Sequence, residues 1–509
     1  MKNAFKKVTL SFWILYMVTL FSCKAQSQNN DQLPAPMINY GNAVLSGKIS
    51  LDVLGKLTSH EACLTVYSPI SASRDYKISI KDDGTFKLEI PMISEGLGYI
   101  KLANGNMAVL AFVPNKETIF NVSSNDKGQL KMNSENSLNY SSNEISEFFG
   151  FYLRYWQTPT KPYYRPQMSL EEYKDTILNN VKKTLKVVES SSLSKKAKQE
   201  CYYEMKIQYL KMLFDYKELL LLAHRRWLSE HDKTMQEVPF IEPKVDKSYY
   251  TFLKEFELND ANYLFSTEYH NFVEKLLEDS TLNIPSVSDL PAKEWFAKTK
   301  SILKDAVGFD NGLFYDVLVA SAYNKCLMYR HPFTDVQKKN MSEYFTNDSY
   351  IKFLLNENKE LVAQINKESS KKVVINKTPD VPNEQVLNKI IEKYKGKVVY
   401  VDFWATWCAP CLDALKGFEP IKEKELKGLD VVYVYITDTS SPKDKWQLKI
   451  QSVEGEHYYL DSATEGCIQK QLQFRGIPTS LIYDKQGVLK HKLTVMPEEK
   501  AVEWIKELL

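Results

Sequence analysis

The hydrophobic period of this 509-residue chain changes twice, and each change dictates a different architecture. Over 42–140 apolar and polar residues alternate in short runs such as "AVLSGKISLDV", "YKISIKDDGTFKLEIPM" and "ETIFNVSS". A period of two belongs to half-buried strands, and the "DDG" of Asp82–Gly84 predicts a hairpin turn. Short strands at this spacing predict a small antiparallel β-sandwich. Over 145–370 the period becomes 3.6, which predicts an all-α domain of seven or eight helices. Ser169 and Glu172 stand in capping-box spacing at the head of one of them. Residues 194–231 read as one long helical pattern, and "YYTFLKEFEL" as a further helix. Over 377–509 buried runs such as "VVYVDF" and "LDVVYVYI" alternate with helical segments, the pattern of an α/β sheet. At roughly 100–200 residues per domain, three domains suit the length.

The N-terminus obeys another logic. Lys2, Lys6 and Lys7 precede the 14-residue apolar run Val8–Phe21. Such a run is short for a membrane span and suits an export signal over 1–22. "LFSC", ending at Cys23, resembles a bacterial lipoprotein signal, which implies lipidation of Cys23 and a linker over 23–41. Ordinary cleavage after Ala25 is the alternative. Either way the chain is expected outside the cytoplasm, in the periplasm or cell envelope. A net charge of +2 gives no argument for a nucleic-acid partner.

Seven cysteines sort by position. Cys63, Cys201, Cys326 and Cys467 stand singly, as small buried apolar residues do; in an oxidising compartment some could pair. His224 and His231 lack a metal-ligand pattern and read as structural or exposed. Cys408 and Cys411 form the stretch "VDFWATWCAPC". Zinc needs four ligands, and only His457 and Cys467 lie nearby, at no spacing that makes a site. A structural disulfide here closes too small a loop to constrain the unfolded chain much. A redox pair explains more. The strand ends at Phe403 and a helix starts at the cysteines, so Cys408 sits where free amides and the helix dipole favour an anion. Cys411 lies one turn on and can resolve a mixed disulfide. Asp402, an acid in a strand buried on both faces, is placed to accept the Cys411 proton.

"VDFWATWCAPC" resembles the thioredoxin active-site motif, and "FRGIPT" (Phe474–Thr479) resembles the thioredoxin cis-proline loop. The resemblance implies a thioredoxin-like fold, a cis Ile477–Pro478 bond facing the cysteines, and client contacts by Trp407, Ile477 and Pro478. The 67 residues from Cys411 to Pro478 leave room for an inserted β-α segment, as in the exported TlpA/ResA-like oxidoreductases. Two positions depart from the pattern. Lys416 stands where thioredoxins commonly carry a proline, which predicts a straighter helix, and Ala409 replaces the usual glycine or proline. The implied activity is reduction of disulfides in envelope proteins, with no cofactor or metal. A membrane thiol-electron transporter is the implied donor. Two other readings stay open: a binding or scaffold protein whose redox domain serves one client, and a thiol-dependent peroxidase.

Overall fold

The computed structural model describes residues 31–157, 168–287, 290–368, 372–474 and 476–509. The expected export signal over 1–22 and Cys23 lie outside the described residues. Two compact units emerge. One runs to Tyr323 and takes in Gln337–Phe353; the other comprises Asn324–Val336 and Leu354–Leu509.

The first unit opens with β1 (Gly41–Ile49), a single helical turn α1 (Leu51–Leu54), β2 (Glu61–Val66), β3 (Arg74–Ser79), β4 (Thr85–Met92), β5 (Gly96–Leu102), β6 (Met107–Phe112), β7 (Glu117–Ser124) and β8 (Leu130–Glu135). They form two four-stranded sheets, ordered β4-β1-β7-β8 and β3-β2-β5-β6. Leu45, Phe86 and Phe120 of one sheet pack on Leu64, Ile100 and Leu110 of the other. This is the expected sandwich, with two differences. β1 and β7 pair in parallel, because the chain reaches β7 only after crossing to the other sheet. The Asp82–Gly84 turn joins β3 to β4, which lie in different sheets, so it turns a corner where a hairpin was expected. Its geometry demands glycine: Gly84 has φ +83°, and a Cβ there would stand 2.0 Å from the Ile49 carbonyl oxygen.

Helices follow as α2 (Ser142–Gln157), α3 (Leu170–Ser190), α4 (Lys195–Phe214), α5 (Tyr216–Glu230), α6 (Tyr269–Glu278), α7 (Ala292–Val307), α8 (Leu313–Met328), α9 (Asp335–Tyr344) and α10 (Asp348–Glu368). The 194–231 pattern is two helices, since the chain turns at Asp215. Lys247–Phe256 is 3-10 rather than α-helical. Leu97 and Ala111 of the second sheet join Ile145, Phe148, Ala197 and Met205 in one cluster, so α2 and α4 cover that sheet's outer face. Cys201 is buried in this cluster, but Cys63 is exposed. The alternation that sends Ala62 and Leu64 inward turns Cys63 outward. His224 is buried with Nε2 2.9 Å from the Val238 carbonyl, and His231 stacks on Trp227.

The C-terminal sheet is six-stranded, ordered β14-β13-β10-β11-β12-β9. Its elements are β9 (Val373–Asn376), α11 (Asn383–Glu392), β10 (Val398–Phe403), α12 (Ala409–Ile421), β11 (Val431–Asp438), α13 (Lys443–Ile450), β12 (Gly455–Leu460), α14 (Ser462–Leu472), β13 (Thr479–Tyr483), β14 (Leu489–Thr494) and α15 (Glu498–Glu507). β9 precedes the expected start at 377 and pairs in parallel with β12 at the sheet edge. β10 is central and buried throughout. Val399, Val401 and Phe403 pack with residues of α11 and α14, while Val398 and Tyr400 pack with residues of α12 and α15. The helix after the cysteines is not plain either. Pro420 lies inside α12 and a π-helical turn, Lys422–Leu426, follows. The missing Pro420 amide removes one intrahelical bond there.

Among the described residues no helix is long and apolar enough to cross a membrane, and no three His, Cys, Asp or Glu side chains gather as a metal site.

Candidate active site

Four residues, Trp404–Trp407, lead from the end of β10 into Cys408, the N-cap of α12. An N-cap side chain normally accepts an amide from the first helical turn. Here the acceptor is sulfur: the Cys411 N–H donates to Cys408 Sγ at 3.3 Å. Cys408 and Cys411 are joined in a disulfide with Cα atoms 5.3 Å apart. Both are buried, Cys411 completely and Cys408 nearly so. Pro410 lies in the first turn, where an amide has no intrahelical partner to lose.

The Ile477–Pro478 bond is cis. This loop enters β13, whose register sets Thr479 opposite Phe403 and Ser480 opposite Asp402. The pairing carries the loop to the head of α12, and the Ile477 carbonyl oxygen lies 3.8 Å from Cys408 Sγ. On its far side the Pro478 carbonyl accepts the Val495 N–H at 3.0 Å.

Asp402 falls on the same face of β10 as Val398 and Tyr400, by the two-residue period of a strand. That face packs on the cluster containing both cysteines. Ser480 Oγ donates to Asp402 Oδ1 at 2.9 Å, and Tyr400 OH lies 3.1 Å from Ser480 Oγ. Burial pushes the Asp402 carboxyl up to about 7, with the Ser480 hydrogen bond pulling the other way. A buried acid that exchanges its proton near neutrality can serve as a general base.

Trp407 is 63 % exposed. Its indole N–H donates to Ser440 Oγ at 3.0 Å, and the Thr406 amide donates to Ser441 Oγ at 3.0 Å. Neither serine stood out in the sequence, although "TDTSS" (437–441) spans the end of β11 and the turn after it. Ser480 was missed as well; it follows Pro478 by two residues. His457 and Cys467 make no metal site with the pair. His457 is buried, stacks on Tyr435 and sits 2.9 Å from the Val453 carbonyl, and burial lowers it to about 4.

A dithiol–disulfide pair at a helix N-terminus on a thioredoxin-like sheet defines a thiol–disulfide oxidoreductase domain. Residues 396–489 match a family model described as thioredoxin-like. A thioredoxin from Coprinus comatus is 30 % identical over 105 residues, 18 % of this chain and 95 % of the thioredoxin. Through this C-terminal domain the chain belongs to the thioredoxin family. The thioredoxin-like protein YneN of Bacillus subtilis is 28 % identical over 100 residues, 20 % of this chain. The thiol:disulfide interchange protein DsbE of Pseudomonas aeruginosa is 25 % identical over 114 residues, 22 % of this chain. The chain spans 58 % of YneN and 59 % of DsbE.

Proposed function

We propose that the protein is an extracytoplasmic reductase of protein disulfides, of the TlpA/ResA-like kind, working through Cys408 and Cys411. The observation that carries the reading is the Cys408 sulfur: it accepts the amide of Cys411 at a helix N-cap and is closed in a disulfide with that residue's side chain. The same amide and dipole favour a thiolate when the pair is open.

In the reducing direction Cys408 thiolate attacks one sulfur of a client disulfide. The Cys408–client bond forms, the client S–S bond breaks, and one client thiolate leaves. Cys411 then gives its proton to the Asp402 carboxylate and attacks Cys408 Sγ. The second client thiolate leaves and the Cys408–Cys411 disulfide closes, so two electrons have passed to the client. Trp407, Ile477 and Pro478 are the client-contacting residues in this reading. A membrane thiol-electron transporter restores the dithiol. The export signal takes the chain out of the cytoplasm, and a lipid on Cys23 holds it at the envelope. The interchange activity in the name of DsbE supports the chemistry.

Cys411→Ser should hold clients as mixed disulfides on Cys408, released by dithiothreitol. Cys408→Ser should capture none and leave insulin unreduced. Capture of no client by Cys411→Ser, together with continued turnover, would contradict the two-thiol route.

A further inference from the structure

β11 runs parallel to β10, with Ile436 opposite Phe403. The two strands therefore emerge side by side, and residues 437–441 meet the loop that delivers Cys408. The contact is built in steps. The Trp404 N–H donates to the Ile436 carbonyl at 3.0 Å. The Thr406 N–H donates to Ser441 Oγ, which lies 2.9 Å from Thr437 Oγ1 in the interior. One residue further out, the Trp407 indole N–H donates to Ser440 Oγ.

The hydrogen-bond directions around Ser440 follow from chemistry. An ionised carboxylate only accepts, and Asp438 Oδ1 receives both the Ser440 hydroxyl at 2.5 Å and the Ser440 amide at 3.0 Å. The other carboxylate oxygen receives Ser462 Oγ at 2.7 Å. With its proton committed to Asp438, the Ser440 oxygen has lone pairs left for the indole. Asp438 and Ser462 hold the acceptor; the acceptor holds the ring. An indole so exposed gains little from burial, so without this bond its χ angles would be free and docking would have to freeze them.

We propose that Ser440 is a positioning residue for disulfide exchange. It fixes Trp407 beforehand as a rigid apolar wall next to Cys408, and the clients it favours carry an apolar side chain beside the target disulfide. This inference rests on the reductase reading. It adds what holds the wall and which clients the wall selects.

The test is a double-mutant cycle in the full chain, with insulin as the protein disulfide. Ser440→Ala should raise KM by about two- to tenfold, the cost of immobilising one side chain on docking, while kcat moves by less than about twofold. Ser440→Thr, which keeps the hydroxyl, should restore KM. In a Trp407→Ala background the Ser440→Ala change should add nothing, because its effect passes through the ring. Acrylamide quenching, taken as the difference between each protein and its Trp407→Phe counterpart, should show a more mobile indole in Ser440→Ala. An equal KM effect with and without Trp407, or a fall in kcat at constant KM, would overturn the assignment while leaving the reductase reading intact. A wild-type chain inert towards insulin would bring down both.

Discussion

Asp402 joins structure and chemistry in one side chain. Its carboxyl sits at about 7 in the folded chain against an ordinary 3.8, with burial as the main cause. Between those values the folded state keeps a proton that the unfolded chain gives up. The stability contribution is therefore complete below about pH 4 and is lost as pH rises through about 7. The gap of roughly three pH units is worth on the order of 4 kcal/mol. Asp402→Asn should stabilise the domain at pH 8 and change little at pH 4, as read by urea unfolding at the two values. If the Cys411 proton passes to Asp402 as proposed, the same variant should lack the wild type's rise in turnover through about pH 7. Val495 is a second residue under constraint. It is β-branched, has φ +56° and is 62 % exposed, so no burial offsets its left-handed backbone. Val495→Gly should raise stability by about 1 kcal/mol in chemical denaturation, after allowing for the entropy glycine adds to the unfolded chain. The places of Cys408, Cys411, Asp402 and Pro478 could be read from the sequence because each stands in a local motif. Ser480 and Ser440 could not, because they act through strand register: Ser480 matters only because β13 sets it opposite Asp402.

Elements were legible in proportion to the strength of their pattern. β10, an apolar run interrupted by Asp402 alone and followed directly by the redox motif, begins and ends where the sequence predicts. The α3 cap is also as read: the Glu172 amide donates to Ser169 Oγ at 3.2 Å and the Ser169 amide to Glu172 Oε2 at 2.8 Å. Ser169→Ala should therefore lower the stability of the first unit by about 1 kcal/mol in urea unfolding, whereas Ser169→Asp, which keeps an acceptor, should lose less. What failed was partner choice and continuity. Four residues make β9 too short to show a period. The "DDG" signal describes a turn truly but says nothing about which sheet receives the next strand. Residues 194–231 keep their helical pattern through Asp215, where the backbone leaves helical geometry and Lys275 pairs with the carboxylate. Lys416 predicted a straighter helix, but Pro420 and the π-turn interrupt it four residues later.

At the scale of the molecule, the chemistry occupies a minority of the chain. The two core clusters of the C-terminal sheet draw only on residues between Val373 and Leu509. A domain with its own core is able to fold alone. Residues 372–509 made separately should unfold cooperatively and reduce insulin; a fragment that stays unfolded would refute that independence. The three architectures could be read from the hydrophobic period. The shared core of the second β-sheet with α2 and α4 could not, because each element shows only that it has an apolar face. All of this chemistry depends on Cys408 being the attacking sulfur. Reduce the whole protein, mix it briefly with glutathione disulfide, quench with acid and locate the first mixed disulfide by peptide mass spectrometry. Glutathione should arrive on Cys408, followed by closure to the Cys408–Cys411 disulfide; glutathione found first on Cys411, or on neither, would mean that Cys408 is not the attacking sulfur.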